Sequence, residues 1–143
     1  MIALDSNILI YAHRPDSQFH QPAQRLVRSL AEGAAGWAIP WPCLHEFYAV
    51  VTHPQLHAIP TPPQAALTQV AAWVESPSVR LLGEGAGYLA ALTRIVAAAQ
   101  PVASAIYDAR IAAICLSHGV SELLTMDHDF SRYPELKTRS LLA

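Results

Sequence analysis

The stretch Ile2–Ile10, IALDSNILI, decides how the chain is read. Ile2, Ala3 and Leu4 predict a short strand buried on both faces, because the run is continuously apolar rather than alternating. Ile8, Leu9 and Ile10 are apolar again, and Ser6 or Asn7 is placed to cap a helix running on through Tyr11 and Ala12. Asp5 puts a carboxylate between the two apolar runs. Taken alone, it reads as a helix cap as readily as a functional group.

The alternation of strand and helix continues outward from there. A helix is predicted over about 18–32, with Ala23, Leu26, Val27 and Leu30 at helical spacing and Gly33 and Gly36 as stops. Residues 37–39 (WAI) read as a strand, and Pro42 suits the first position of a helix over about 43–52. A proline-rich connection, THPQLHAIPTPP, leads to a helix over about 63–75 and a strand at 79–82. A helix over about 84–99 ends at Gln100-Pro101, and another, with Ser104 as its cap, ends at Gly119. A strand at 122–126, a loop at 127–130 and an edge strand within 138–142 complete the chain. This order predicts an α/β fold, a central parallel sheet of four to five strands flanked by helices on both faces. The 143 residues suit a single domain, 1–143.

Composition narrows the function. The chain is 52% hydrophobic and 14% charged, which supports a packed core and argues against disorder. A net charge of −2 shows no global basic field for nucleic acid. Cys43 and Cys115 lack metal-ligand spacing and read as buried free thiols of a reducing compartment. With no signal peptide and no apolar stretch long enough to span a bilayer, the expectation is a cytoplasmic protein without membrane contact.

The acidic residues fall into two groups. Asp16, Glu32, Glu75, Glu84, Glu122 and Glu135 lie at turns or polar ends and read as solvated surface. Asp5, Glu46, Asp108, Asp127 and Asp129 instead stand in apolar company. Asp5, Asp127 and Asp129 follow strands, where α/β sheets build their sites. Several buried carboxylates with one lysine and eight arginines in the whole chain raise one another's pKa unless a cation intervenes. Hard oxygen donors suit Mg²⁺ or Mn²⁺ rather than zinc, and such ions serve phosphoryl chemistry.

The pieces LDSNILIYA, HEFYAVV, YDARIAAICLSHGV and LLTMDHDFSRYPEL, in this order and over essentially the whole chain, resemble a PIN-domain protein, and more narrowly the VapC-type toxin ribonucleases. The resemblance implies a Mg²⁺-dependent endoribonuclease that hydrolyses RNA phosphodiester bonds. It implies that Asp5 and Asp108 ligate the metal directly, and that Glu46 and Asp127 shape the site, orient water or hold a second ion. Asp129 matches an extra aspartate of variable role, and Asn7 and Thr125 match supporting groups. It also implies a VapB-type antitoxin that reaches into the acidic site, and a homodimer. Trp37, Trp41, Tyr48 and Trp73 are candidate partner-facing aromatics. Arg14, Arg110 and Arg132 are candidate RNA-phosphate contacts. Two alternatives remain open at this point. One is another Mg²⁺-dependent phosphoryl-transfer enzyme, although DSNIL lacks a D-x-D-x-T nucleophile motif. The other is a catalytically inactive PIN-like domain that binds metal or a partner.

Overall fold

A computed structural model describes residues 1–142. Its strands are β1 (Ile2–Leu4), β2 (Trp37–Pro40), β3 (Val79–Leu82), β4 (Glu122–Leu124) and β5 (Thr138–Arg139). Its helices are α1 (Ser6–His13), α2 (His20–Glu32), α3 (Trp41–Val51), α4 (Pro63–Val74), α5 (Tyr88–Ala99) and α6 (Ala105–Ser117), followed by a short 3-10 helix, His128–Arg132. The strands form one five-stranded sheet in the order β3-β2-β1-β4-β5. Every pairing is parallel. A parallel sheet needs helical crossovers, and these cover it. The helices flank the sheet in two packed groups, α1 with α2, α3 and α4, and α5 with α6.

Burial explains why the strands lack alternation. Ala3, Leu4, Trp37, Ala38, Ile39 and Leu123 are fully buried, so both faces of β1 and β2 are core. The indole of Trp37 satisfies its N–H on the Ser78 hydroxyl at 3.0 Å. Chain order diverges at β1, whose neighbours are β2 on one side and β4 on the other. In open α/β sheets a crevice forms at the carboxyl ends where the order switches. That crevice lies between Asp5, after β1, and Asp127, after β4.

Local details differ from the sequence reading for identifiable reasons. Neither Ser6 nor Asn7 caps α1. Asp5 does, its side chain accepting from the Ser6 N–H. Ser104 precedes α6 but makes no side-chain cap. α3 begins at Trp41, because Pro40 is extended and Pro42 fits the first turn. α5 begins only at Tyr88, after Gly87 takes a left-handed conformation, φ 83°. β4 stops at Leu124, where Thr125 turns toward the crevice, and part of the loop after it closes into the 3-10 helix. The C-terminal edge strand keeps only Thr138 and Arg139.

The proline-rich connection is pinned to the end of α1. Arg14 is only 8% exposed. It donates to both oxygens of Asp16, at 3.0 and 2.7 Å, to the Ile59 carbonyl at 2.8 Å and to the Thr61 hydroxyl at 3.3 Å. Arg14 is therefore a structural clamp, not the RNA contact read from the sequence. Trp37 and Trp73 belong to the core, and only Trp41 and Tyr48 reach the surface. Both cysteines are free and buried.

Candidate active site

The crevice is built from four elements. β1 delivers Asp5, α3 delivers Glu46, α6 delivers Asp108 in its first turn, and the turn after β4 delivers Asp127 and Asp129. The first turn of a helix favours a carboxylate, because its free N–H groups carry partial positive charge.

Asp5 is held on every side. It is 4% exposed. Its Oδ1 accepts the Ser6 N–H at 2.8 Å and the Cys43 thiol at 3.6 Å. Its Oδ2 accepts the Thr125 hydroxyl at 2.7 Å and the Asn7 amide at 3.3 Å. Thr125 and Asn7 also fix the loop after β4. The Thr125 hydroxyl accepts from the Asp127 N–H at 3.0 Å, and Asn7 Oδ1 accepts from the Met126 N–H at 3.2 Å. The ends of β1 and β4 are thereby locked together through polar side chains, and the Asp5 N–H adds a bond to the Leu124 carbonyl at 3.0 Å.

The other carboxylates crowd one another. Oxygens of Asp108, Asp127 and Asp129 lie within 4.8 Å of one another, with Asp108 and Asp127 partly buried and Asp129 exposed. Asp129 donates its N–H to Asp127 Oδ1 at 2.9 Å, which shapes the turn. Burial, then the charges of Asp127, Asp5, Glu46 and Asp129, push Asp108 up to about 6. Burial also raises Asp5, against the pull of Thr125, Ser6 and Cys43. Glu46 sits at the rim. Packing around its carboxyl raises its pKa, held back by Ser6 and pushed further by Asp5 and Asp127. All five carboxylates therefore share one field. The three clustered oxygens do not include Asp5, which lies behind them in its cage of donors.

This donor set fits a hard divalent cation. It offers carboxylate oxygens only, with no thiolate or imidazole in the cluster. Burial and then neighbouring like charges raise Asp108, a conflict that a counter-ion would relieve.

Two contacts escaped the sequence reading. Cys43 reaches Asp5 from inside the core, and Ser6 faces Glu46. A signal for Cys43 existed: it precedes Glu46 by three residues on α3, so both lie on one face. Of the remaining arginines, Arg110 is engaged by Glu84 at 3.1 Å and Arg139 by Glu122 at 2.9 Å. Glu84 is thus an ion-pair partner on the exposed surface, as read, whereas Glu122 is half-buried rather than freely solvated.

The architecture has counterparts among known proteins. The family model described as "PIN domain" matches residues 2–136. Ribonuclease VapC37 of Mycobacterium tuberculosis is 32% identical over 133 residues, covering 93% of this chain and 92% of its own. Ribonuclease VapC48 of the same species is 28% identical over 135 residues, 94% of this chain and 93% of its own. Among solved structures, VapBC2 from Rickettsia felis, bound to a DNA fragment from its promoter, superposes with a TM-score of 0.71 over 98% of both chains at 16% identity. M. tuberculosis VapC20, a toxin that cleaves the sarcin-ricin loop, gives 0.65 over 92% of this chain and 93% of its own, at 20% identity. At such identities the structural likeness speaks for the fold alone. The family match over most of the chain, together with a relative at 32% identity, shows that the chain belongs to the PIN-domain family.

Proposed function

We propose that this chain is a cytoplasmic, metal-dependent endoribonuclease toxin of the VapC type, a single PIN domain inhibited by a VapB-type antitoxin. The observation that carries this reading is the convergence of Asp108, Asp127 and Asp129 oxygens within 4.8 Å of one another at the switch point of a parallel sheet. Support for the substrate and partner comes from the relatives, which are named ribonucleases, and from structural neighbours solved as toxin–antitoxin complexes. Homodimerisation belongs to the same proposal.

Mg²⁺, with Mn²⁺ as substitute, is the ion that fits. Asp108 and Asp5 are the proposed direct ligands, with Asp127 and Asp129 completing the Asp108 side. When bound, such an ion supplies a Lewis acid for the phosphoryl oxygens and a nucleophile at neutral pH. In that role Asp5 would be held in place by the Asn7 amide, the Thr125 hydroxyl, the Ser6 N–H and the Cys43 thiol. Glu46, at the rim with a raised pKa, is positioned to orient water or hold a proton.

The test is incubation of the partner-free protein with cellular RNA in Mg²⁺, in Mn²⁺ and in EDTA, beside Asp108→Asn. Discrete fragments form only with metal, and the variant loses on the order of 10²–10³ in rate. Fragments that persist in EDTA, or in the variant at wild-type rate, sink the reading.

A further inference from the structure

The acidic crevice opens on one side into a groove between α3 and α6. Pro42, His45, Glu46, Tyr107, Arg110 and Ile111 line it. Glu46 is one of its lining residues, so the groove borders the carboxylates. Tyr107 immediately precedes Asp108 and is 67% exposed, an unusual state for a large aromatic. Tyr107, Arg110 and Ile111 share one face of α6 at helical spacing. Beside the groove, at the start of α3, Trp41 is 40% exposed. Its ring lies beside that of His45, with centroids 6.3 Å apart.

Charge decides what such a groove can take. Glu46 lines it, and Arg110 already gives its Nε, at 3.3 Å, and one terminal nitrogen, at 3.1 Å to each oxygen, to Glu84. Little positive charge is left over for a phosphate, whereas a nucleobase is neutral and offers a π face to any exposed ring. Stacking on aromatic side chains is how unpaired bases are held without a strong basic field. The other side of the crevice differs. It is lined by Ser131, Thr138 and Ser140 beside Asp127, a set of hydroxyls suited to sugar and phosphate oxygens.

Resting on the endoribonuclease reading, we infer that the α3–α6 groove is a base-stacking subsite for single-stranded RNA. Tyr107 is its principal platform, Trp41 its outer wall, and the nucleotide held there flanks the scissile phosphate on one side. Tyr107 thereby sets which unpaired residue stands next to the cut.

Steady-state cleavage of short, fluorescein-labelled single-stranded RNAs of mixed sequence tests this with wild type, Tyr107→Ala and Tyr107→Phe, with fragment ends sequenced. Tyr107 is exposed and alanine is a good helix former, so the fold and α6 survive the change. Tyr107→Ala raises KM about tenfold and relaxes base preference on one side of the cut only. Tyr107→Phe, which keeps the ring, stays near wild type, and RNA quenches the fluorescence of exposed Trp41 in both. Unchanged KM and unchanged cut sites in Tyr107→Ala, with wild type active, overturn the subsite and leave the nuclease standing. An equal loss of kcat in both variants, with KM constant, overturns it too, because the ring would then only be positioning Asp108. Normal RNA kinetics with lost inhibition by purified antitoxin would make the groove a protein seat instead. A wild type inert on every RNA with Mg²⁺ and Mn²⁺ brings down the nuclease reading and the subsite with it.

Discussion

Asp5 and Asp108 face one crevice but are held in opposite ways. Asp5 is almost fully buried and accepts from four donors on three elements, so its geometry is set before any ion arrives. Asp108 stands on a helix turn, where burial and then the like charges around it push it up to about 6. One carboxylate is a structural hub that is also aimed at the site. The other stores repulsion that only a cation or a proton relieves. Rigidity and strain are thus divided between the two sides of the crevice, and substitutions on each side should move stability in opposite directions.

The largest effect is expected from the rigid side. Asp5→Ala removes the α1 cap and leaves the Ser6 N–H and the Thr125 hydroxyl without their buried acceptor. Each such loss costs about 1–3 kcal/mol, and part is returned by removing a buried charge, so a net loss of about 3 kcal/mol is expected. For a chain of this length that lowers Tm by roughly 10 °C in a calorimetric scan. A change under a few degrees would mean the cage is not holding the fold together.

Thr125→Val is a smaller cut into the same hub. It keeps the shape but removes the donor to Asp5 and the acceptor for Asp127 and Asn7. The expected loss is about 1–2 kcal/mol of stability. Because Thr125 ties Asp5 to the turn that carries Asp127, the loss should also appear as 10–100-fold weaker Mn²⁺ binding by calorimetric titration. Unaltered Mn²⁺ affinity with lowered stability would confine Thr125 to the fold and detach the rigid side from the metal.

These two sides were unequally legible in the sequence. The strands were visible because a parallel sheet buried on both faces leaves unbroken apolar runs, and the five carboxylates were visible because they interrupt such runs or close them. The bonds that organise them were not, because they span the chain. Thr125 is 120 positions from Asp5 and Cys43 is 38. Only the strand order β2-β1-β4 brings them together. The same limit applies to Arg14. Near acids in sequence, it looked free for RNA, and its burial depends on Ile59 and Thr61, which the proline-rich connection folds back onto it. The starts of α3 and α5 were misplaced because Pro40 and Gly87 act through backbone conformation, which periodicity does not record.

The smallest effect is the most discriminating, since its sign opposes the other two. Asp108 titrates near 3.8 when free of its surroundings and about 6 in the folded protein. Between those values the folded chain keeps a proton that the unfolded chain has released. Stability therefore falls as pH rises through this window, and the full penalty is present above about pH 6. Asparagine carries no such penalty. Metal-free Asp108→Asn should match wild type near pH 4 and exceed it near pH 7.5. Partial exposure screens the crowded charges, so the gain is about 1 kcal/mol, roughly 3 °C in Tm. Saturating Mg²⁺ or Mn²⁺ stabilises whichever form binds it, so wild type should overtake the variant once metal is added. A variant that is less stable than wild type at pH 7.5 without metal would show that Asp108 is held as Asp5 is, and the division between a rigid and a strained side would be lost.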